Sequence, residues 1–254
     1  MSQNSPAVFI TGAAKRVGRA IALDLAQMGY DVAIHFNGSE EDAFEVVEDI
    51  RRLGRRSAAF QADLAQPSDA KQLFAQISET FGLVDILINN ASVFVDDRID
   101  DLSDDVWDMH FNLHVKTPSI LASDFAAQND GTMRGLIVNI IDQRVWNLNP
   151  RFYSYTLSKS ALWTATQTLA QALAPRVRVN GIGPGPTLPS YRQTDQDLAR
   201  QVTSLPLQKG PDLSEFANTM DYLWRTPSVT GQMLALDGGQ HLTWETPDVS
   251  GVNE

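Results

Sequence analysis

Two residues one helical turn apart, Tyr155 and Lys159, form the pairing in this chain best suited to proton chemistry. They close the stretch from Asp142 to Lys159, which reads DQRVWNLNPRFYSYTLSK. On a helix of 3.6 residues per turn an i, i+4 pair faces one way, so a phenol and an ammonium can share a site. The nearby cation favours phenolate. It is expected to lower the tyrosine pKa from its reference of about 10, letting the hydroxyl give or take a proton near neutrality. Tyr153 is a rival, but six residues before Lys159 it points to a different face; Tyr155 is offset by only about 40°. A surface Tyr and Lys show the same spacing, so the pair takes its meaning from the elements that must position it.

Those elements alternate. Ala7 to Thr11 reads as a short strand running into TGAAKRVGRA, and the helical pattern Ala20, Ile21, Leu23, Leu25, Ala26 follows. Strand, glycine-bearing turn and helix open a dinucleotide-binding unit. Gly12 and Gly18 permit a tight turn and close approach to a pyrophosphate on the helix N-terminus. Arg16 occupies the middle position, where the GxGxxG pattern has glycine. The second strand, Asp31 to Phe36, ends in HFNGS with no acid at its tip to hold an adenosine ribose 2′-hydroxyl, which favours NADPH over NADH. Arg16, His35, Asn37 and Ser39 are the candidates for binding a 2′-phosphate. A third strand, Ser57 to Gln61, closes on Asp63, which either accepts from the adenine amino group or caps the helix that Pro67 and Ser68 start.

Strand Val84 to Asn89 delivers NNAS at the C-terminal sheet edge, where ligands bind in open α/β folds, and Phe94 follows. The acidic run from Asp96 to Asp105 lacks calcium-loop spacing and reads as a solvated loop before a helix. His110 and His114 share a helical face, but Phe111 stands where a zinc protease has Glu and no third ligand offers itself, so no metal site is expected. Further strands are expected at Gly135 to Ile141, Val177 to Ile182 and Met233 to Leu236, with a helix from Tyr153 to Leu173 between the first two. Two short helices fall between Thr194 and Trp224. Alternation of this kind is the signature of one α/β domain over residues 1–254, a doubly wound parallel sheet with helices on both faces.

The 254 residues, 43% of them hydrophobic, are enough for a full core. With no cysteine the chain has neither disulfides nor thiolate metal sites, and a reducing cytoplasm is the expected location. No basic, apolar leader and no run of about 18 apolar residues is found. With 31 acidic against 20 basic residues, the net charge of −11 disfavours nucleic acid and anionic membranes, leaving small molecules as partners.

Taken in order, the glycine turn, Asp63, NNAS, YxxxK and the Pro184-Gly185 turn resemble the short-chain dehydrogenase/reductase family along the whole chain. The resemblance implies a Rossmann-like domain with a seven-stranded sheet, assembled as a homotetramer or dimer. It implies that Gly12, Arg16, Val17 and Gly18 meet the cofactor phosphates, and that Asp63 and Leu64 lie by the adenine. Asn90, Ala91 and Ser92 would flank the nucleotide. Tyr155 becomes the proton donor or acceptor, and Lys159 holds the nicotinamide ribose. Thr187, after Pro184 and Gly185, would hold the carboxamide. Two family positions are altered. Asp142 stands where most members have Ser, thirteen residues before the catalytic Tyr, and His114, or in another alignment Asn112, replaces a catalytic Asn.

TGAAKRVG, NNASVF and the Asp together resemble the pteridine reductases and bacterial dihydromonapterin reductases, as does the ending VTGQMLALDGGQHL. There, Arg16 would contact both cofactor phosphate and pterin, and Phe94 would stack the pterin against the nicotinamide. HFNGS lacks the arginine of many pteridine reductases. The substitution makes chemical sense, because a pterin offers ring nitrogens and an amino group that donate to a carboxylate, which Asp142 supplies. NADPH-dependent reduction of a dihydropteridine is therefore the expected activity, with Asp142, Tyr155 and Lys159 catalytic. A carbonyl or alcohol oxidoreductase with an incidental Asp142 is the alternative, and a catalytically silent NADP-binding regulator is the non-enzyme reading.

Overall fold

The computed structural model describes residues 5–128, 135–190 and 192–244. Seven strands form one wholly parallel sheet: β1 Ala7–Ile10, β2 Asp31–Phe36, β3 Ser57–Gln61, β4 Ile86–Asn89, β5 Gly135–Ile140, β6 Val177–Pro184 and β7 Met233–Leu236, in the order β3-β2-β1-β4-β5-β6-β7. The central strands read as apolar runs, broken only by the buried Asn89 and Asn139, because helices cover both of their faces. On one face α1 (Arg16–Gln27), α2 (Glu40–Arg52) and α8 (Leu213–Arg225), the last following the short α7 (Asp195–Thr203), bury Ile21, Leu25, Val46, Ile50, Phe216 and Met220. On the other, α3 (Pro67–Thr80), α5 (Thr117–Gln128) and α6 (Tyr153–Leu173) bury Leu73, Phe74, Ile77, Leu121, Phe125 and Ala170.

The chain leaves β1 toward β2 on one side and returns from β3 to β4 on the other. The strand order therefore reverses between β1 and β4. At such a switch point the turns after neighbouring strands diverge and leave a crevice at their C-terminal ends. Thr11 locks the two sides of it together: its hydroxyl oxygen accepts from the Asn90 and Ala91 amides at 2.9 Å each.

Two elements depart from the sequence reading in ways that shape the site. The helix carrying His110 and His114 is not uniform: α4 (Asp104–Phe111) passes through a π-helical turn, Asn112–Lys116, before α5. Extra residues of this kind in a helix commonly mark functional segments. The acidic run is also not wholly solvated. Asp97 is buried, and its carboxylate accepts from the Ser154 amide, while Asp96 accepts from the Phe152 amide. Phe152, at the N-cap of α6 with φ +55°, has no side chain able to cap. The two remote carboxylates satisfy the orphan N–H groups and complement the helix dipole instead.

Candidate active site

One cleft of about 660 Å³ opens over the switch point and reaches from Asn37 and Asp63 at one end to Asp142, Tyr155 and Lys159 at the other. Its nucleotide end is built from backbone. Gly12 has φ +63° and sits so close to β4 that a Cβ would be 2.9 Å from the Ala91 Cα; a Cβ on Gly18 would run into the Gly12 carbonyl. The Asn90 amide group donates to the Thr11 and Gly12 carbonyls at 2.9 and 3.0 Å, fixing the turn from below. Arg16 occupies the left-handed region, φ +53°, the conformation a glycine would adopt without strain. Lys15, the N-cap of α1, makes no side-chain capping bond, and the first turn of that helix holds no acid. The helix end is thus ready for an anion. Lys15 lines the cleft beside Arg16, Val17 and Gly18; it stands in the same GAAKR turn and could have been read from it.

His35 corrects the sequence reading. It is almost wholly buried: its Nδ1 accepts the Gly12 amide at 3.0 Å, and its Nε2 lies 3.0 Å from the Ala62 carbonyl. The second contact requires the proton on Nε2, since a carbonyl cannot donate. Burial lowers its pKa to about 4, so at neutral pH His35 is an uncharged brace for the glycine turn and supplies no charge to a phosphate. Asn37 does line the cleft, while Ser39, at the N-cap of α2, lies outside it. Asp63 accepts the Ala65 amide at 3.0 Å and faces the cleft with Leu64. It does not cap α3, whose N-cap is Gln66.

At the other end the Tyr155 hydroxyl donates to Asp142 Oδ2 at 2.9 Å, and Asp142 Oδ1 accepts the Arg144 amide at 2.8 Å, capping a 3₁₀ turn over Gln143–Val145. Lys159 Nζ donates to the Ile140 carbonyl at 2.8 Å and lies 5.7 Å from the Tyr155 ring centre. The expected lowering of the tyrosine pKa is overturned. Burial, then the charge of Asp142 and the hydrogen bond to it, raise Tyr155 well above 10, outweighing Arg144 and the Ser92 hydroxyl. Burial likewise raises Asp142 and lowers Lys159 to about 8, each against the pull of the other's charge. The phenol is therefore a proton held between a carboxylate and its destination.

Phe94 stands at the rim of this end. One face stacks on Phe152, with centroids 4.0 Å apart and planes 8° from parallel, and the Tyr155 ring meets it edge-on at 4.7 Å. The aromatic wall at this rim is therefore a Phe94–Phe152 pair, with the Arg144 guanidinium 5.2 Å from the Phe152 ring. Thr187 bonds to the Gly185 carbonyl at 3.0 Å and stands outside the cleft lining, while Pro184 and Gly185 belong to it. Of the two alignments for the altered Asn, His114 is the one beside Tyr155, at 5.4 Å between ring centres. Asn112 opens the π-helical turn. The paired serines Ser154 and Ser158 beneath the histidines carried no sequence signal, because small polar residues on a helix are unremarkable until a partner faces them. Among the described residues no cluster of His, Asp and Glu is placed to hold a metal, and no helix is long and apolar enough to cross a membrane.

Known proteins show the same frame. FolM alternative dihydrofolate reductase 1 from Brucella suis, solved in complex with NADP, is 54% identical, superposes with a TM-score of 0.94 and covers 98% of this chain and 100% of its own. The Brucella canis protein of that description, also with NADP, is 52% identical with a TM-score of 0.92, over 96% and 98% of the two chains. The 3-oxoacyl-[acyl-carrier-protein] reductase FabG of Staphylococcus epidermidis is 30% identical over 239 residues, 92% of this chain and 98% of that protein. The family model described as short chain dehydrogenase matches residues 6–198. With that match added to the seven-stranded parallel sheet and the cleft at its switch point, the chain belongs to the short-chain dehydrogenase/reductase family.

Proposed function

We propose that this protein is an NADPH-dependent reductase of a dihydropteridine. The observation that carries the reading is the Asp142 carboxylate, bonded to the Tyr155 hydroxyl at the inner end of the cleft where the family's neutral serine would stand. The residues present fit a dinucleotide. Gly12 and Gly18 leave no room for a Cβ, the N-terminus of α1 is uncapped by side chains, and Lys15 and Arg16 place two cations at the turn. No carboxylate ends β2 itself, although Glu40, Glu41 and Asp42 open α2 just beyond it and Asp42 pairs with Lys15 at 2.9 Å. Lys159, at the inner end of the cleft beside the Ile140 carbonyl, would hold the nicotinamide ribose.

When bound, the nicotinamide supplies the hydride. Everything else falls to this chain. Asp142 accepts from the amino group and ring N–H of a pterin, a two-point match that a hydroxyl cannot make. Tyr155, still protonated at neutral pH because burial and Asp142 raise its pKa, is a general acid 2.9 Å from the group that orients the substrate. The Phe94–Phe152 pair supplies an apolar rim for a flat ring. The similarity to FabG favours a second reading, reduction of a ketone with Asp142 incidental.

Turnover separates the two. Wild type should oxidise NADPH with dihydropterins and not with a panel of ketones. Asp142→Ser should lower kcat/KM for the pterin by at least about 10-fold, because its donors lose a partner worth about 1–3 kcal/mol. NADPH affinity should stay near its original value. If wild type ignores dihydropterins, reduces a ketone, and gains from Asp142→Ser, the ketone reading replaces this one.

A further inference from the structure

Below the cleft lies a set of polar side chains that proton delivery from Tyr155 to substrate does not by itself require. His110 and His114 are stacked 5.5 Å apart, both buried, and each is tied through Nδ1 to a serine of α6: Ser154 at 2.7 Å and Ser158 at 2.8 Å. Ser158 has one hydroxyl proton, and it goes to the Tyr155 carbonyl at 2.8 Å. The shared proton between Ser158 and His114 must then sit on His114 Nδ1. Burial, with the charge of Lys159 and then of His110, holds His114 neutral, so its Nε2 is a bare acceptor.

That acceptor faces the reaction. His114 Nε2 is 3.0 Å from the Ser92 hydroxyl and takes the Val93 amide at 3.4 Å. Ser92 lines the same cleft as Tyr155, and its hydroxyl pulls the Tyr155 pKa down against the larger effect of burial. Besides the Val93 carbonyl at 3.4 Å, that hydroxyl proton has two claimants, His114 Nε2 at 3.0 Å and the Tyr155 oxygen across the cleft. While Tyr155 is protonated, its own hydrogen points to Asp142, and the Ser92 proton rests on His114. A phenolate is the stronger acceptor, because hydrogen bonds to an ion are roughly twice as strong as neutral ones.

We propose that His114 is a positioning residue that parks the Ser92 hydroxyl beside Tyr155, so that it turns onto the phenolate as Tyr155 gives up its proton. This rests on Tyr155 being the acid of the proposed reduction. The Tyr155 O–H bond breaks, and its proton joins the substrate atom made basic by hydride from NADPH, which leaves as NADP⁺. Ser92 keeps its own proton and only rotates. His114 keeps its proton on Nδ1 and, once Ser92 turns away, retains the Val93 amide. Tyr155 recovers a proton from water, which the exposed Ser92 rim admits.

A kinetic cycle on Tyr155 tests the proposal. Ser92→Ala and His114→Leu should each lower kcat by about 10-fold, the size of one hydrogen bond to a charged group made in the transition state. The double variant should be no slower than either, and His114→Gln, which restores an acceptor near the Nε2 position, should recover most of the rate. In a Tyr155→Phe background neither change should slow the residual reaction. An equal loss in that background would overturn the proposal and leave His114 a structural residue. Ser92 lies at the exposed rim, so its variant carries the cycle if His114→Leu does not fold.

Nitrogen NMR of the chain's four histidines supplies an arm independent of substrate. His114 should carry its proton on Nδ1, with the Nε2 signal moved by Ser92→Ala. A proton on Nε2 would overturn the proposal whichever substrate is turned over. If that spectrum holds but dihydropterins are ignored, only the substrate reading falls, and the same cycle then runs on the ketone that is reduced.

Discussion

The two ends of the cleft are built on different principles. The nucleotide end is a frame of backbone and neutral groups: glycines where a Cβ would collide, Asn90 and Thr11 as cross-links, and an uncharged His35 as a post. The end proposed to be catalytic is a cluster of buried ionisable groups, Asp142, Tyr155 and Lys159, each displaced from its ordinary pKa by burial and by its neighbours. Binding a long, flexible dinucleotide requires a surface that does not rearrange, whereas moving a proton requires groups whose protonation energies are close. Damage to the first should therefore appear as affinity or stability, and damage to the second as rate.

The sharpest break in that division is Tyr155→Phe. It should cut kcat by about 10²-fold or more, the usual range for losing a general acid. NADPH affinity, read by nucleotide fluorescence, should hardly move, since the removed hydroxyl bonds to Asp142, on the proposed substrate side. Tyr153→Phe should do far less. Its ring leans on Trp107 with centroids 6.4 Å apart, outside the cleft lining. If Tyr155→Phe instead weakened NADPH binding tenfold at unchanged kcat, the two ends would not be separable.

The same division separates what the sequence makes legible from what it hides. The periodicity of apolar runs placed every strand to within two residues, and Gly12, Gly18 and the NNAS edge announced a nucleotide turn by their own conformational needs. Tyr155 and Lys159 were legible because helical spacing alone puts them on one face. The electrostatics were not. Lys159 is near Tyr155 as spacing requires, yet its ammonium bonds to the Ile140 carbonyl, and burial, followed by Asp142 thirteen residues away, raises the tyrosine's pKa. His35 misled for the same reason. A histidine at a strand tip reads as a cation until burial makes it neutral. Asp97 and Phe152 were hidden because a cap delivered from a remote loop has no local pattern.

His35 offers a way to sharpen the comparison from the stability side. Its pKa is about 4 in the folded protein against about 6.5 when unfolded, so below 6.5 the unfolded chain binds a proton that the folded one refuses. Stability contributed by the neutral imidazole is thus lost as pH falls from 6.5 toward 4. Between pH 6.5 and 5 the loss from this one group is about 1.6 kcal/mol. His110 and His114, also lowered by burial, add to it with the same sign. His35→Asn should be less stable than wild type at pH 7.5 and should lose less on acidification, by melting temperature at pH 7.5 and 5. An unchanged acid slope would mean that His35 is charged in the folded protein and belongs with the ionisable end.

The smallest expected effect concerns Arg16, the one residue that belongs to both designs. Its guanidinium donates to the Pro189 carbonyl at 2.9 Å and lines the cleft, while its backbone sits at φ +53°. An L-residue pays about 1–2 kcal/mol for that conformation, and glycine pays less, though it loses about 0.5–1 kcal/mol of chain entropy on folding. Arg16→Ala and Arg16→Gly remove the same charge and the same bond to Pro189, so both should weaken NADPH relative to NADH by similar factors. They should differ in stability alone. The glycine variant should melt higher than the alanine variant by a few degrees, the shift expected for about 1 kcal/mol in a chain of this size. Equal melting temperatures would show that the turn stores no strain at Arg16. A selectivity change in the glycine variant alone would show that the bent backbone, and not the guanidinium, distinguishes the two nucleotides.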